Sequence, residues 1–107
     1  MDRQTRDLLD LLKGIGERLE RRPHDLKLRA ALLDAIQSLS SLALARYLPI
    51  HIRAAAREVA TDAERLAHMA EASERMTPTD RQRFRPAAKR LSESVEKLST
   101  TIDRGRA

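Results

Sequence analysis

A chain of 107 residues has room for one domain, or for a protomer whose core is completed by dimerisation. It carries a net charge of +5, is 35% charged and 41% apolar, and has only Tyr47 and Phe84 as aromatics. That composition suits packed helices and disfavours a β-sandwich, which draws on aromatic and β-branched residues, and with no cysteine there is no disulfide framework, thiol nucleophile or Cys-ligated zinc.

The expected fold is all-α, an antiparallel bundle of about four helices over 4–21, 24–48, 50–76 and 78–103, forming a single domain over 1–107. In the first helix, Thr5, Leu8, Leu12, Ile15 and Leu19 recur at helical spacing, and Leu9 and Leu11 widen the stripe to a bundle face. Gly14 and Gly16 flank Ile15, marking either a fray or a close helix approach, since glycine costs about 1 kcal/mol in a helix interior. Both charge signs mix on the polar face (Asp7, Asp10, Lys13, Glu17, Arg18), which favours a solvated bundle helix over a membrane-surface one. The run Arg21-Arg22-Pro23-His24-Asp25 ends this helix. The second helix is expected to start near Pro23 or His24, with Asp25 in its first turn.

From Ala35 to Ile52 there is a single formal charge, Arg46. Leu32, Ile36, Leu39 and Ala43 form a seam, with Leu28, Leu33, Leu42 and Leu44 off it. A helix apolar or small-polar all round has neighbours on most sides. Ile36, Leu39, Leu42, Ala43, Leu44 and Leu48 are therefore expected in the core or under a second subunit. Pro49 presents two alternatives: a break between two helices, or a kink in one long helix. The shift of seam between Tyr47 and Ile52 favours the break, although no Gly, Asn, Asp or Ser is present after Ser41 to build a turn before Ala60.

The third helix repeats Ile52, Val59, Leu66 and Ser73 against Ala56, Ala63 and Ala70, so its alanines let a partner helix come close. Thr77, Pro78 and Asp80 read as N-cap, first and third helical positions of the fourth helix. That helix carries Phe84, Ala88, Leu91, Val95, Leu98 and Ile102, with Pro86 near its start. The third and fourth helices are expected to form a coiled-coil-like antiparallel hairpin, and 104–107 to fray.

Three groups are candidates for chemistry. The string RYLPIH, with Arg46 and His51, resembles the Arg-x4-His motif of the HEPN ribonucleases, which are all-α and often dimeric. The resemblance covers six residues and implies that His51 helps deprotonate a ribose 2′-hydroxyl while Arg46 stabilises the strained phosphate. It departs from the family at Tyr47, where a polar residue often stands. With 17 arginines and three histidines such a spacing also arises by chance, and Arg18 with His24 is a second instance. Glu64, His68 and Glu71, one face of the third helix, have the spacing of metal ligands, but the seam beside them points this face outward.

The third group is Arg81, Arg83, Arg85, Lys89 and Arg90, spread around the fourth helix, for nucleic acid by counterion release or for an acidic protein. Interleaved aromatics for base stacking are missing. No cofactor, metal or small-molecule substrate is implied. The leading expectation is a non-enzymatic interaction protein, an adaptor, assembly factor or regulator that forms a homodimer or binds another protein. A nucleic-acid-binding regulator comes second and a ribonuclease third. With no apolar stretch behind the opening MDRQTRD and none long enough to span a bilayer, a cytoplasmic protein is expected.

Overall fold

A computed structural model describes residues 3–22, 25–71 and 78–104. Four α-helices account for nearly all of them: α1 (Arg3–Arg21), α2 (Leu26–Leu44), α3 (Ile50–Glu71) and α4 (Pro78–Arg104). Each packs on the next and α4 returns to α1, which closes an antiparallel four-helix bundle of 45 × 21 × 19 Å. The α1–α2 seam is the sparsest of the four. Among the described residues no helix is long and apolar enough to cross a membrane.

The core follows the helical periodicities. Leu9, Leu12, Ile15 and Leu19 enter from α1, and Leu32, Ala35, Ile36 and Leu39 from α2. Alanines dominate the contribution of α3, with Val59 and Leu66 between them, and α4 adds Phe84, Leu91, Val95 and Leu98. Small residues on α3 bring its neighbours close, and larger ones opposite fill the space. Ser94 is the one polar side chain in this interior among the described residues, and its hydroxyl donates to the Leu91 carbonyl at 3.0 Å. It is thereby satisfied within its own helix.

Besides a start of α1 one residue early, at Arg3, helix boundaries differ from expectation in three places. Asp25 is not in the first turn of α2 but caps it. Its extended backbone (φ −71°, ψ 107°) lets one carboxylate oxygen accept from the N–H groups of Lys27 at 2.9 Å and Leu28 at 3.3 Å. Asp25→Ala is expected to cost about 1 kcal/mol, read as a lower urea midpoint at unchanged slope. The second difference is at the other end, where α2 stops at Leu44 and not at residue 48. Thirdly, Arg104 belongs to α4 and is not part of a frayed tail. The proposed starts at Pro23 or His24, the Thr77 cap, Ser73 and the tail 105–107 lie outside the described residues.

At Pro49 the chain breaks into two helices and does not continue as one kinked helix. The Ala45 N–H tightens onto the Leu42 carbonyl, the Leu48 N–H donates to Ala45, and the Pro49 carbonyl accepts from Ile52 and Arg53 to start α3. None of the described residues has a positive φ, so this turn needs no glycine or asparagine. Proline is suited to the place because it has no N–H to leave unpaired ahead of a first helical turn. Pro86, by contrast, lies inside α4, and the helix runs on through it to Arg104.

Two arginines tie α2 to α3. The Arg53 Nε–H donates to the Ala43 carbonyl at 3.1 Å, and an Arg29 Nη2–H donates to the Ala70 carbonyl. In each case the fourth residue of one helix reaches the penultimate residue of the other. For Ala43, in the last turn of α2, the guanidinium supplies a donor to one of the carbonyls that a helix end leaves without an intrahelical partner.

Candidate functional site

Two surfaces stand out once the core is subtracted. The first is the outer face of α2. Leu26, Leu33 and Leu44 fall within about 20° of one another around the helix, and each is more than half exposed. Ala30, Gln37 and Ser41 lie between them and are exposed too. The result is an uncharged stripe about 27 Å long, with Lys27 and Asp34 at its edge. Just beyond it are Tyr47 at 84% and Ile50 at 79% exposure.

The six α2-region residues expected in the core or an interface divide accordingly. Ile36 and Leu39 are core; Leu42, Ala43 and Leu48 are half-buried; Leu44 is exposed. Leu26, Leu33, Tyr47 and Ile50 were not among the residues expected in the core or an interface, although Leu26 and Leu33 share a face of α2 with Leu44. Toward α3 this surface opens into a groove of about 310 Å³ among Leu26, Ala30, Leu33, Ala67 and Glu71. Toward α1, Ser38, Ser41, Leu42 and Tyr47 meet Gln4, Thr5 and Leu8 around a second groove of about 280 Å³.

The second surface is basic. Although the basic residues are spread around α4, Arg83, Lys89 and Arg90 line, together with Arg65 of α3, a groove of about 430 Å³. Met69, Pro86 and Ala87 form its apolar part and Glu93 borders it. Arg65 is the member that sequence reading missed. The antiparallel pairing of α3 with α4 that sets Glu58 opposite Lys97, 3.2 Å apart, also sets Arg65 opposite Arg90.

Arg85 is separated from the groove: its Nε–H donates to a Glu20 carboxylate oxygen of α1. That hydrogen bond, then the carboxylate charge, raises the Arg85 pKa above its ordinary value, so the side chain stays protonated. The Arg81 side chain lies outside the described ones.

Searches against protein-family models, curated proteins and solved structures return no match. The surfaces must therefore speak for themselves.

Of the remaining candidates only Glu71 borders one of these grooves, the one beside Leu26 and Leu33. Arg46 is in the turn between α2 and α3 and His51 in the first turn of α3, and both side chains are exposed. Glu64, His68 and Glu71 are exposed along α3, and among the described residues no three His, Asp or Glu side chains come together as metal ligands. The reason is geometric: a row on one helix needs a partner row on another to close a coordination shell.

Proposed function

We propose that this protein is a non-enzymatic helical-bundle interaction protein that self-associates through the outer face of α2. The observation that carries the reading is the uncharged stripe Leu26–Ala30–Leu33–Gln37–Ser41–Leu44 on the outside of a protein that is 35% charged. An exposed charge-free face of this length is what a partner covers.

The area supports a second copy as that partner. The exposed parts of Leu26, Leu33, Leu44, Tyr47 and Ile50 amount to on the order of 600–700 Å², near the ~800 Å² per partner of a standard interface. Two antiparallel copies of a straight helical stripe also make a self-complementary contact, which a two-fold axis requires. The nucleic-acid reading ranks below this one because the basic groove has no aromatic for base stacking. The ribonuclease reading ranks lower still, because Arg46 and His51 are both open to water, where electrostatic stabilisation is weakest.

Sedimentation equilibrium tests the proposal. The parent chain is expected to be a dimer, and Leu33→Glu to weaken association at least ~100-fold by forcing an unpaired carboxylate into the contact from both sides. Leu33 is exposed in the protomer, so circular dichroism of the variant should keep its helical signal. A parent chain that stays monomeric at every concentration, with a melting temperature independent of concentration, overturns it.

A further inference from the structure

We infer that the groove between α3 and α4 binds an acidic polypeptide segment bearing apolar side chains. Its cations come from two helices: Arg65 from α3 and Arg83, Lys89 and Arg90 from α4. Against them stands one carboxylate, Glu93, so the groove is strongly positive. Arg65, Arg83, Lys89 and Arg90 are all exposed, and among the described residues the two interhelical ion pairs, Arg85–Glu20 and Lys97–Glu58, use none of them.

The apolar part decides between classes of anion. Met69 and Ala87 are half-buried and Pro86 exposed, side by side between the cations. A phosphodiester backbone gains nothing from such a strip, and its bases find no aromatic to stack on. A peptide with carboxylates flanking a leucine or similar residue uses both parts: the guanidinium groups take carboxylates bidentately, and the strip takes the apolar side chain. Arg83 to Glu93 spans about 15 Å along α4, which matches a short helical or extended segment. Glu93 sets the direction, because it repels carboxylates at its own end and leaves the Arg83 end for the most acidic part of the peptide. The surface is separate from the outer stripe of α2, so the same protomer can hold a second copy and an acidic partner together.

Fluorescence anisotropy at low salt tests this with three probes of matched charge. They are a labelled peptide of about twelve residues, ~18 Å as a helix, with paired glutamates around leucines; an oligoglutamate; and an oligothymidylate. The leucine-bearing peptide is expected to bind most tightly, and Arg65→Glu or Arg90→Glu to weaken it at least ~10-fold. Arg21→Glu changes net charge equally, away from the groove, and should weaken it far less. All three positions are exposed, so the folded signal should persist. Tighter binding of the oligonucleotide, equal binding of oligoglutamate, equal loss from Arg21→Glu, or no binding of any probe each overturns the inference.

Discussion

Phe84→Ala should cost about 3–5 kcal/mol of folding free energy, the largest effect expected of a single truncation in this chain. The side chain is fully buried and is the only aromatic in the interior, since Tyr47 is exposed. It enters the bundle from the first turns of α4. The register fixed by Glu20 with Arg85 sets it beside the last turn of α1, at the end where α3 supplies Ala70. Alanines on α3 have no length with which to fill the space left behind, so much of the cavity persists, and its walls lose their contacts outright. A domain of this size has about 5–15 kcal/mol in total, so a large fraction of the stability resides on one ring. Phe84→Leu, which keeps most of the volume, should lose less than about 2 kcal/mol. Urea denaturation with an unchanged slope measures both. A loss below ~1 kcal/mol for the alanine variant would mean that the end of the bundle collapses freely onto the gap.

The same substitution at two glycines, two residues apart, is expected to have opposite signs. A Cβ added at Gly14 meets nothing nearer than the flexible Arg18 Nε at 4.0 Å. Gly14→Ala should therefore stabilise by about 0.5–1 kcal/mol through helix propensity alone. At Gly16 the added Cβ would lie 2.8 Å from the Ala88 Cβ and 3.3 Å from its Cα. That contact involves backbone, so α1 and α4 must move apart, at a cost of about 1–3 kcal/mol that offsets or exceeds the propensity gain. Combining Gly16→Ala with Ala88→Gly removes the 2.8 Å contact and leaves the milder 3.3 Å one to Cα, and the two changes together should cost less than their sum by on the order of 1 kcal/mol. Equal melting temperatures for the two single variants would show that α1 does not approach α4 as closely as the geometry states.

These glycines also show what a sequence can reveal. Their flanking of Ile15 poses the choice between fray and close approach; Gly16 is a close approach to Ala88, while at Gly14 the helix runs on with neither. The four helices, the core faces of α1, α3 and α4, and the antiparallel order were legible because their apolar residues keep one phase. For α2 the seam Leu32, Ile36 and Leu39 was legible too, but the residues off it are also apolar. Periodicity says which side chains share a face and not whether a second face is covered; so by sequence Leu44 groups with Leu39 as core or interface, and the two are opposite in burial. The break at Pro49 is legible in the shift of seam, but the extent of the turn, back to Ala45, was hidden for a different reason. It is built from negative-φ residues and closed by the Arg53 side chain, none of which leaves a glycine or asparagine to read. Arg65 joined the basic groove through a tertiary pairing, where a search along α4 alone had no means of finding it.

The reciprocal arginine contacts, Arg53 to Ala43 and Arg29 to Ala70, act as two pins through opposite ends of one hinge plate. A slip of α2 along α3 by one turn, about 5.4 Å, would pull both pins at once, and loosening one end leaves the other still fastened. Full separation of this hairpin must release both ends, so the slowest amide protons of α2 and α3 are expected to exchange as one cooperative block. Any partner seated on α2 rests on a platform that is rigid lengthwise, and what it feels at Leu26 is mechanically connected to Leu44 at the far end.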